Sequence, residues 1–260
     1  MKRGIRLAAG PLVQVDPQRG PPGGIGRAAA LQFAQRGGKV AVADIDAAGV
    51  AKTVEMIGGA AAMAISVDVS DEASCQAMVD ATVGEFGRLD VLFNNAGVAG
   101  DRARTADITT EDWNRVIAVN LTGVFFCARA AIPAMQAVGG GVIINTASVD
   151  GLVGMPTVPH YVAAKHGVIG LTKNIAIEYA KDDIRAVAVA PGYIKTKMTE
   201  EAFSGEEKEL LASLVPLGRP AGPEEVANMV LWLASDQASY VSGSVHTVDA
   251  GLLAGFNLPG

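Results

Sequence analysis

Seven short apolar runs, separated by stretches with helical spacing, constrain this chain more than any other feature. The runs cover residues 12–15, 39–43, 62–67, 89–93, 141–146, 185–190 and 244–248. The first run is weaker; most of the others are rich in Val, Ile and Ala and show little alternation, as strands buried on both faces of a parallel sheet do. Between them, residues 26–36, 47–57, 71–86, 110–137, 158–181 and 223–235 carry apolar side chains at helical spacing. Strand and helix in repeated alternation predict one α/β domain over residues 1–260, a doubly wound parallel sheet of about seven strands with helices on both faces. Helix starts are marked by Ser70 before Asp71 and Glu72, by Thr109 before Glu111 and Asp112, and by Pro223 before Glu224 and Glu225. Residues 192–219 are irregular, with a possible short helix at 199–214, and a long excursion past a strand end is where lids over ligands form.

Composition narrows the function. Half of the 260 residues are hydrophobic, enough to bury a core and too many for a disordered chain. The net charge is −6 and no Lys/Arg run exists, which argues against a nucleic-acid partner. The most apolar region, 116–137, contains Asn120, Arg129 and Pro133, so no membrane span is expected. The N-terminal residues make a poor secretory signal. Cys75 and Cys127 lie far apart without metal-ligand spacing, which predicts a reduced, cytoplasmic protein with no disulfide and no metal. Cys127, Trp113 and Trp232 read as packing residues, and His166 and His246 as structural.

Ligands of doubly wound sheets bind beyond the carboxyl ends of the strands. Gly20, Gly24 and Gly26 precede the first helix; such glycines let the backbone approach a pyrophosphate, though the same spacing also suits a plain loop. Asp44 ends the second strand, where a carboxylate can accept from a ribose 2′-hydroxyl or merely start a helix in solvent. Asp68-Val69 and Asn94-Asn95-Ala96-Gly97 follow the third and fourth strands, and the latter also reads as a turn. Tyr161 and Lys165 share a helix face, and an ammonium beside a phenol would lower its pKa and suit it to acid/base work. A surface pair is the plain alternative. Ser148 follows the fifth strand and can hydrogen-bond a substrate oxygen. Asn120 sits mid-helix, where Asn is unfavourable without a partner. His160, next to Tyr161, has no partner nearby in sequence and is set aside as a base.

Taken together and in order, these motifs resemble the short-chain dehydrogenase/reductase family from about Gly24 to Gly251. The resemblance implies a Rossmann-like fold and roles for particular residues. Tyr161 would exchange a proton with the substrate oxygen, Lys165 would lower the Tyr161 pKa and hold the nicotinamide ribose, and Ser148 would orient the carbonyl. Asn120 would hold a water in a relay to Lys165. Gly20, Gly24, Ile25 and Gly26 would face the pyrophosphate, and Asp68 and Val69 would bracket the adenine. Asn95, Ala96 and Gly97 would line the adenosine side. Pro191 and Gly192 belong to the matched set, Ile194 and Thr196 would fix the carboxamide, and residues 198–214, within 192–219, would be the substrate lid. Asp44 matches the position that favours NAD over NADP.

The implied reaction moves a hydride between NAD(H) and a secondary alcohol or ketone. The residues at 150–159, with Leu152, Val153, Met155, Pro156 and Val158, favour a hydrophobic or cyclic substrate. By resemblance the expected assembly is a homotetramer, through the helices at 110–137 and 158–181 and the last strand.

Residues 1–23 depart from the pattern. Arg19 stands where the family has Thr, and Pro21 and Pro22 remove N–H groups from a loop meant to offer them. The fit begins abruptly at Gly24, as a shifted reading frame upstream would give. The expectation is a weak or missing first strand and reduced cofactor affinity. Two alternatives follow: an NADPH-dependent 3-oxoacyl-carrier-protein reductase, opposed by Asp44 and the acidic charge, and a non-catalytic relative impaired in cofactor binding.

Overall fold

The structure, a computed structural model, describes residues 12–15 and 24–255. Strands β1 (Leu12–Val15), β2 (Val40–Asp44), β3 (Ala62–Ser66), β4 (Val91–Asn94), β5 (Gly141–Thr146), β6 (Ile184–Pro191) and β7 (Val245–Val248) form one sheet. Its order is β3-β2-β1-β4-β5-β6-β7, and the pairings are parallel. All seven apolar runs of the sequence are strands of this sheet, with ends shifted by a residue or two. Successive strands are joined by helices α1 (Ile25–Gln35), α2 (Ala47–Ile57), α3 (Glu72–Phe86), α4 (Thr110–Ile117), α5 (Gly123–Ala137), α6 (Pro159–Glu178), α7 (Lys197–Ala202), α8 (Gly205–Leu214) and α9 (Pro223–Leu233).

The lack of alternation in the strands has a direct cause. Val40, Val42, Val91, Phe93, Val142, Ile144, Val187 and Val189 pack with α1 and α9 on one face. Ala41, Ala43, Leu92, Ile143 and Ala186 pack with α3 and α5 on the other. Each strand therefore feeds two cores, and both sets of alternate side chains must be apolar. The edge strands β3 and β7 are only partly buried.

Three expectations need correction. The first strand is neither missing nor unpaired: Leu12–Val15 pairs with β2 on one side and β4 on the other. Gly20, Arg19, Pro21, Pro22 and Gly23 lie outside the described residues. The expected helix at 199–214 is two helices, because Ser204 accepts from the Glu207 N–H and caps a new helix, α8. Trp113 and Trp232, 39% and 37% exposed, are not core residues, although Trp232 stands edge-on to His246 at 6.3 Å.

The helix over 110–137 runs through as expected but contains a π turn at Ala118–Thr122. By length and composition it could cross a bilayer; here half of its most apolar window is buried in the fold, where α5 packs on α3. The sheet order reverses between β1 and β4, so a crevice opens beyond their carboxyl ends.

Candidate active site

A cavity of about 970 Å³ occupies that crevice. Asp68, Val69, Gly97, Ser148, Tyr161 and Gly192 line it, although they arrive from four separate strand ends and one helix. Its far side is formed by Met155, Pro156 and Val158, by Phe203 and Leu211 from the segment after β6, and by Leu252. Of the apolar residues expected there, Met155, Pro156 and Val158 line the cavity, whereas Leu152 and Val153, 41% and 43% exposed, do not.

The acid/base group is assembled around α6. Lys165 is 2% exposed and donates from Nζ to the Thr146 carbonyl at 2.8 Å. The Thr146 hydroxyl donates to Asn95 Oδ1 at 3.1 Å, which ties the ends of β4 and β5 together. Burial brings the Lys165 ammonium down to about 8, partly opposed by the Asp150 charge. The Nζ stands 5.5 Å from the centre of the Tyr161 ring.

The Tyr161 phenol is not lowered as the sequence led us to expect. Burial pushes it well above its ordinary range, the Asp150 carboxylate pushes it further, and a hydrogen bond with Ser148 opposes both. Burial of the phenol is the larger cause, and the nearby Asp150 carboxylate adds to it. Asp150 itself is raised by burial and held back by its hydrogen bond with Ser148. Its N–H donates to Ser148 Oγ at 3.1 Å. A carboxylate two residues after Ser148 was visible in the sequence, but only the turn at Val149–Gly151 turns it into the cavity.

Asn120 is fully buried in the π turn. Its Oδ1 accepts from the Val98 N–H and its Nδ2 donates to the Val98 carbonyl, both at 2.8 Å. The side chain thus pins the segment after β4, and π turns often mark functional sites. Gly97 fits between Asn120 and Lys165: a Cβ there would stand 3.5 Å from Asn120 Oδ1 and 3.7 Å from Lys165 Nζ.

The remaining expected residues surround the cavity. Gly24 caps α1 without a side-chain acceptor, Ile25 and Gly26 form its first turn, and that turn holds no acidic residue. Such a helix start suits a phosphate. Asp44, at the end of β2, is 7% exposed and accepts from the Asp46 N–H at 2.8 Å. Asp68 binds the Ser70 hydroxyl at 2.6 Å. Ala96 is buried beside Asn95. Pro191 ends β6, and Gly192 lies so close to β7 that a Cβ would fall 2.9 Å from the Asp249 Cα. Ile194 bridges to Ala221, and Thr196 caps α7. An open helix start, a carboxylate at the end of β2 and a side-chain-free gap at Gly97 together fit a dinucleotide. Among the described residues no cluster of three or more His, Cys, Asp or Glu could hold a metal. Cys75 and Cys127 are free and buried, with sulfurs 3.5 Å apart.

His160 was passed over in the sequence because its partner is distant. It is fully buried, and its Nε2 lies 2.8 Å from Asp112 Oδ2, a residue of α4.

Comparison with known proteins finds relatives over nearly the whole chain. The family model described as Enoyl-(Acyl carrier protein) reductase matches residues 21–253. The chain is 46% identical over 233 residues to cyclohexanol dehydrogenase of Acinetobacter sp. (strain SE19), covering 88% of this chain and 91% of that one. Among solved structures, levodione reductase superposes with a TM-score of 0.90 at 35% identity, covering 96% of this chain and all of that one. A 3-ketoacyl-(acyl-carrier-protein) reductase from Brucella melitensis, complexed with NADH, gives 0.86 at 32% identity, covering 95% and 98%.

Proposed function

The chain belongs to the short-chain dehydrogenase/reductase family and is an oxidoreductase of alcohols and ketones, and from that premise we propose that it works with NAD(H) on an uncharged cyclic or hydrophobic secondary alcohol, with Tyr161 as the acid/base. The observation that carries this reading is the convergence of Ser148, Tyr161 and Gly97 on one cavity, with Lys165 buried behind them.

A bound nicotinamide supplies the hydride acceptor. The protein does the rest. Met155, Pro156 and Val158 hold the carbon skeleton and exclude water. The Ser148 hydroxyl orients the substrate oxygen beside the Tyr161 phenol. In oxidation the substrate O–H proton passes to the Tyr161 oxygen as the carbinol C–H bond breaks; in reduction Tyr161 returns it. Lys165 and the Asn120 turn form the inner wall through which that proton would leave toward solvent. Asp44 would accept from the 2′-hydroxyl of the adenosine ribose, and its charge would disfavour a 2′-phosphate.

The similarity to cyclohexanol dehydrogenase and levodione reductase supports a ring-bearing substrate. The reductase bound to NADH keeps a carrier-linked 3-oxoacyl substrate as the second reading, with Arg102 and Lys197 at the cavity mouth as its basic contacts. However, Arg102 is already paired with Glu207 at 2.7 Å and stacked 5.3 Å from Phe203. A homotetramer is supported by Phe125 on α5 and Ile177 on α6, 41% and 79% exposed.

The test is NAD(H)-linked turnover of cyclohexanol and cyclohexanone, beside a 3-oxoacyl thioester. Turnover of the ring compounds, lost in Tyr161→Phe, supports the proposal; turnover of the thioester alone overturns it. Light scattering in solution checks the tetramer.

A further inference from the structure

Resting on the reading of Tyr161 as the proton-transfer group, we propose that His160 and Asp112 form a positioning pair that fixes the Tyr161 main chain against the segment after β4. The need for such a device arises at the start of α6. Val158 caps the helix but supplies no side-chain acceptor, and Pro159, at the first helical position, has no N–H. The Val162 N–H is met by the Val158 carbonyl at 3.0 Å. The Tyr161 N–H is one of the donors that a helix leaves without an internal partner. The neighbouring imidazole meets it: Tyr161 N–H donates to His160 Nδ1 at 2.8 Å.

This bond fixes the tautomer. A main-chain N–H can only donate, so Nδ1 carries no proton and the ring proton sits on Nε2. There it faces Asp112 Oδ2 at 2.8 Å. The carboxylate is held in its turn. It accepts from the Asp101 N–H at 2.7 Å and from Arg115, and Thr109 caps its own N–H at 3.1 Å. Gly100, at φ +77°, packs against the ring; a Cβ there would be 2.5 Å from Nε2.

One buried imidazole thereby joins α4, the segment after β4 and the first turn of α6. That segment carries Gly97, and Asn120 pins it through Val98, so the pair sets where Tyr161 stands relative to the cofactor side of the cavity. A buried ring with both nitrogens engaged leaves no unmet hydrogen bond, and His160 is not among the residues that line the cavity.

Two substitutions divide the ring into its halves. His160→Gln keeps a donor able to reach Asp112 but has no acceptor at the δ1 position. His160→Asn keeps that acceptor but cannot reach Asp112. H160Q should lower kcat about tenfold to a hundredfold, the cost of a displacement near 1 Å, while leaving KM for cofactor and alcohol within about twofold. H160N should recover part of the loss. Tyr161→Phe, run alongside, tests the underlying reading. A Tyr161→Phe enzyme that keeps its kcat overturns that reading. An inactive Tyr161→Phe beside an H160Q of wild-type kcat overturns the positioning pair alone. Equal losses in both His160 variants, with KM and melting temperature moving in step, also overturn it, since that pattern is general destabilisation. Nitrogen-15 spectra of histidine-labelled wild-type protein, assigned against His166→Gln and His246→Gln, read the tautomer without relying on a His160 variant. Protonation on Nε2 alone supports the proposal, and a proton on Nδ1 overturns it.

Discussion

Gly151 lies directly on the main chain of Lys165: a Cβ at Gly151 would fall 2.8 Å from the Lys165 carbonyl oxygen. The turn carrying Ser148 and Asp150 is therefore seated on α6 with no room for a methyl. Gly151→Ala must push the turn from the helix. We expect a loss of about 1–3 kcal/mol in stability, the usual cost of overpacking, together with a fall in kcat as Ser148 moves from Tyr161. Denaturant melts and steady-state kinetics check this; an unchanged melt would show that the turn yields without cost.

Lys165 is held at a cost in stability. Its pKa falls from 10.5 unfolded to about 8 folded because of burial, which corresponds to about 3 kcal/mol at ~1.36 kcal/mol per unit. Between those values the unfolded chain binds the proton that the folded chain does not, so this penalty is full below about 8 and fades as pH rises toward 10.5. Lys165→Met should abolish turnover yet gain on the wild type in thermal stability at pH 7, less about 1–3 kcal/mol for the unpaired Thr146 carbonyl. The wild type should close the gap at high pH. Parallel melting curves of the two proteins across that range would contradict the assignment.

Asp150 works against the base. Its carboxylate raises the Tyr161 phenol, and alcohol oxidation needs the phenolate. Removing the charge in Asp150→Asn should lower the Tyr161 pKa and move the acidic limb of the kcat/KM profile for oxidation to lower pH. A limb that stays in place, or moves upward, would remove Asp150 from the electrostatics of the site.

Asp44 should set cofactor choice. Like charges about 4 Å apart repel by ~1 kcal/mol in water and ~4 kcal/mol near a protein surface. Asp44→Ser should therefore narrow the preference for NAD over NADP by about fivefold to nearly a thousandfold. Direct titration with each dinucleotide measures it, and an unchanged ratio would place discrimination elsewhere.

Pro21 and Pro22 should weaken pyrophosphate binding, because each removes an N–H from the glycine loop. Replacing both with Ser should tighten NAD binding several-fold, at about 0.5–1.5 kcal/mol per recovered hydrogen bond. Equal affinity in titration would show that the loop does not depend on those two donors.

The apolar runs by themselves determined the doubly wound sheet. A strand packed on both faces needs apolar residues at every position, and that demand is written locally in stretches such as residues 141–146. The positions of Ser148, Tyr161 and Lys165 were legible for a similar reason: each follows a strand end or shares one helix face, and both relations depend only on neighbours in the chain. The electrostatics were not. The Tyr161 phenol is raised because the fold buries it and sets the Asp150 carboxylate nearby. The role of His160 was also hidden, because its partner Asp112 is 48 residues away in sequence and 2.8 Å away in space. Tertiary structure decided these points, since desolvation and hydrogen-bond partners depend on which distant elements close over a group.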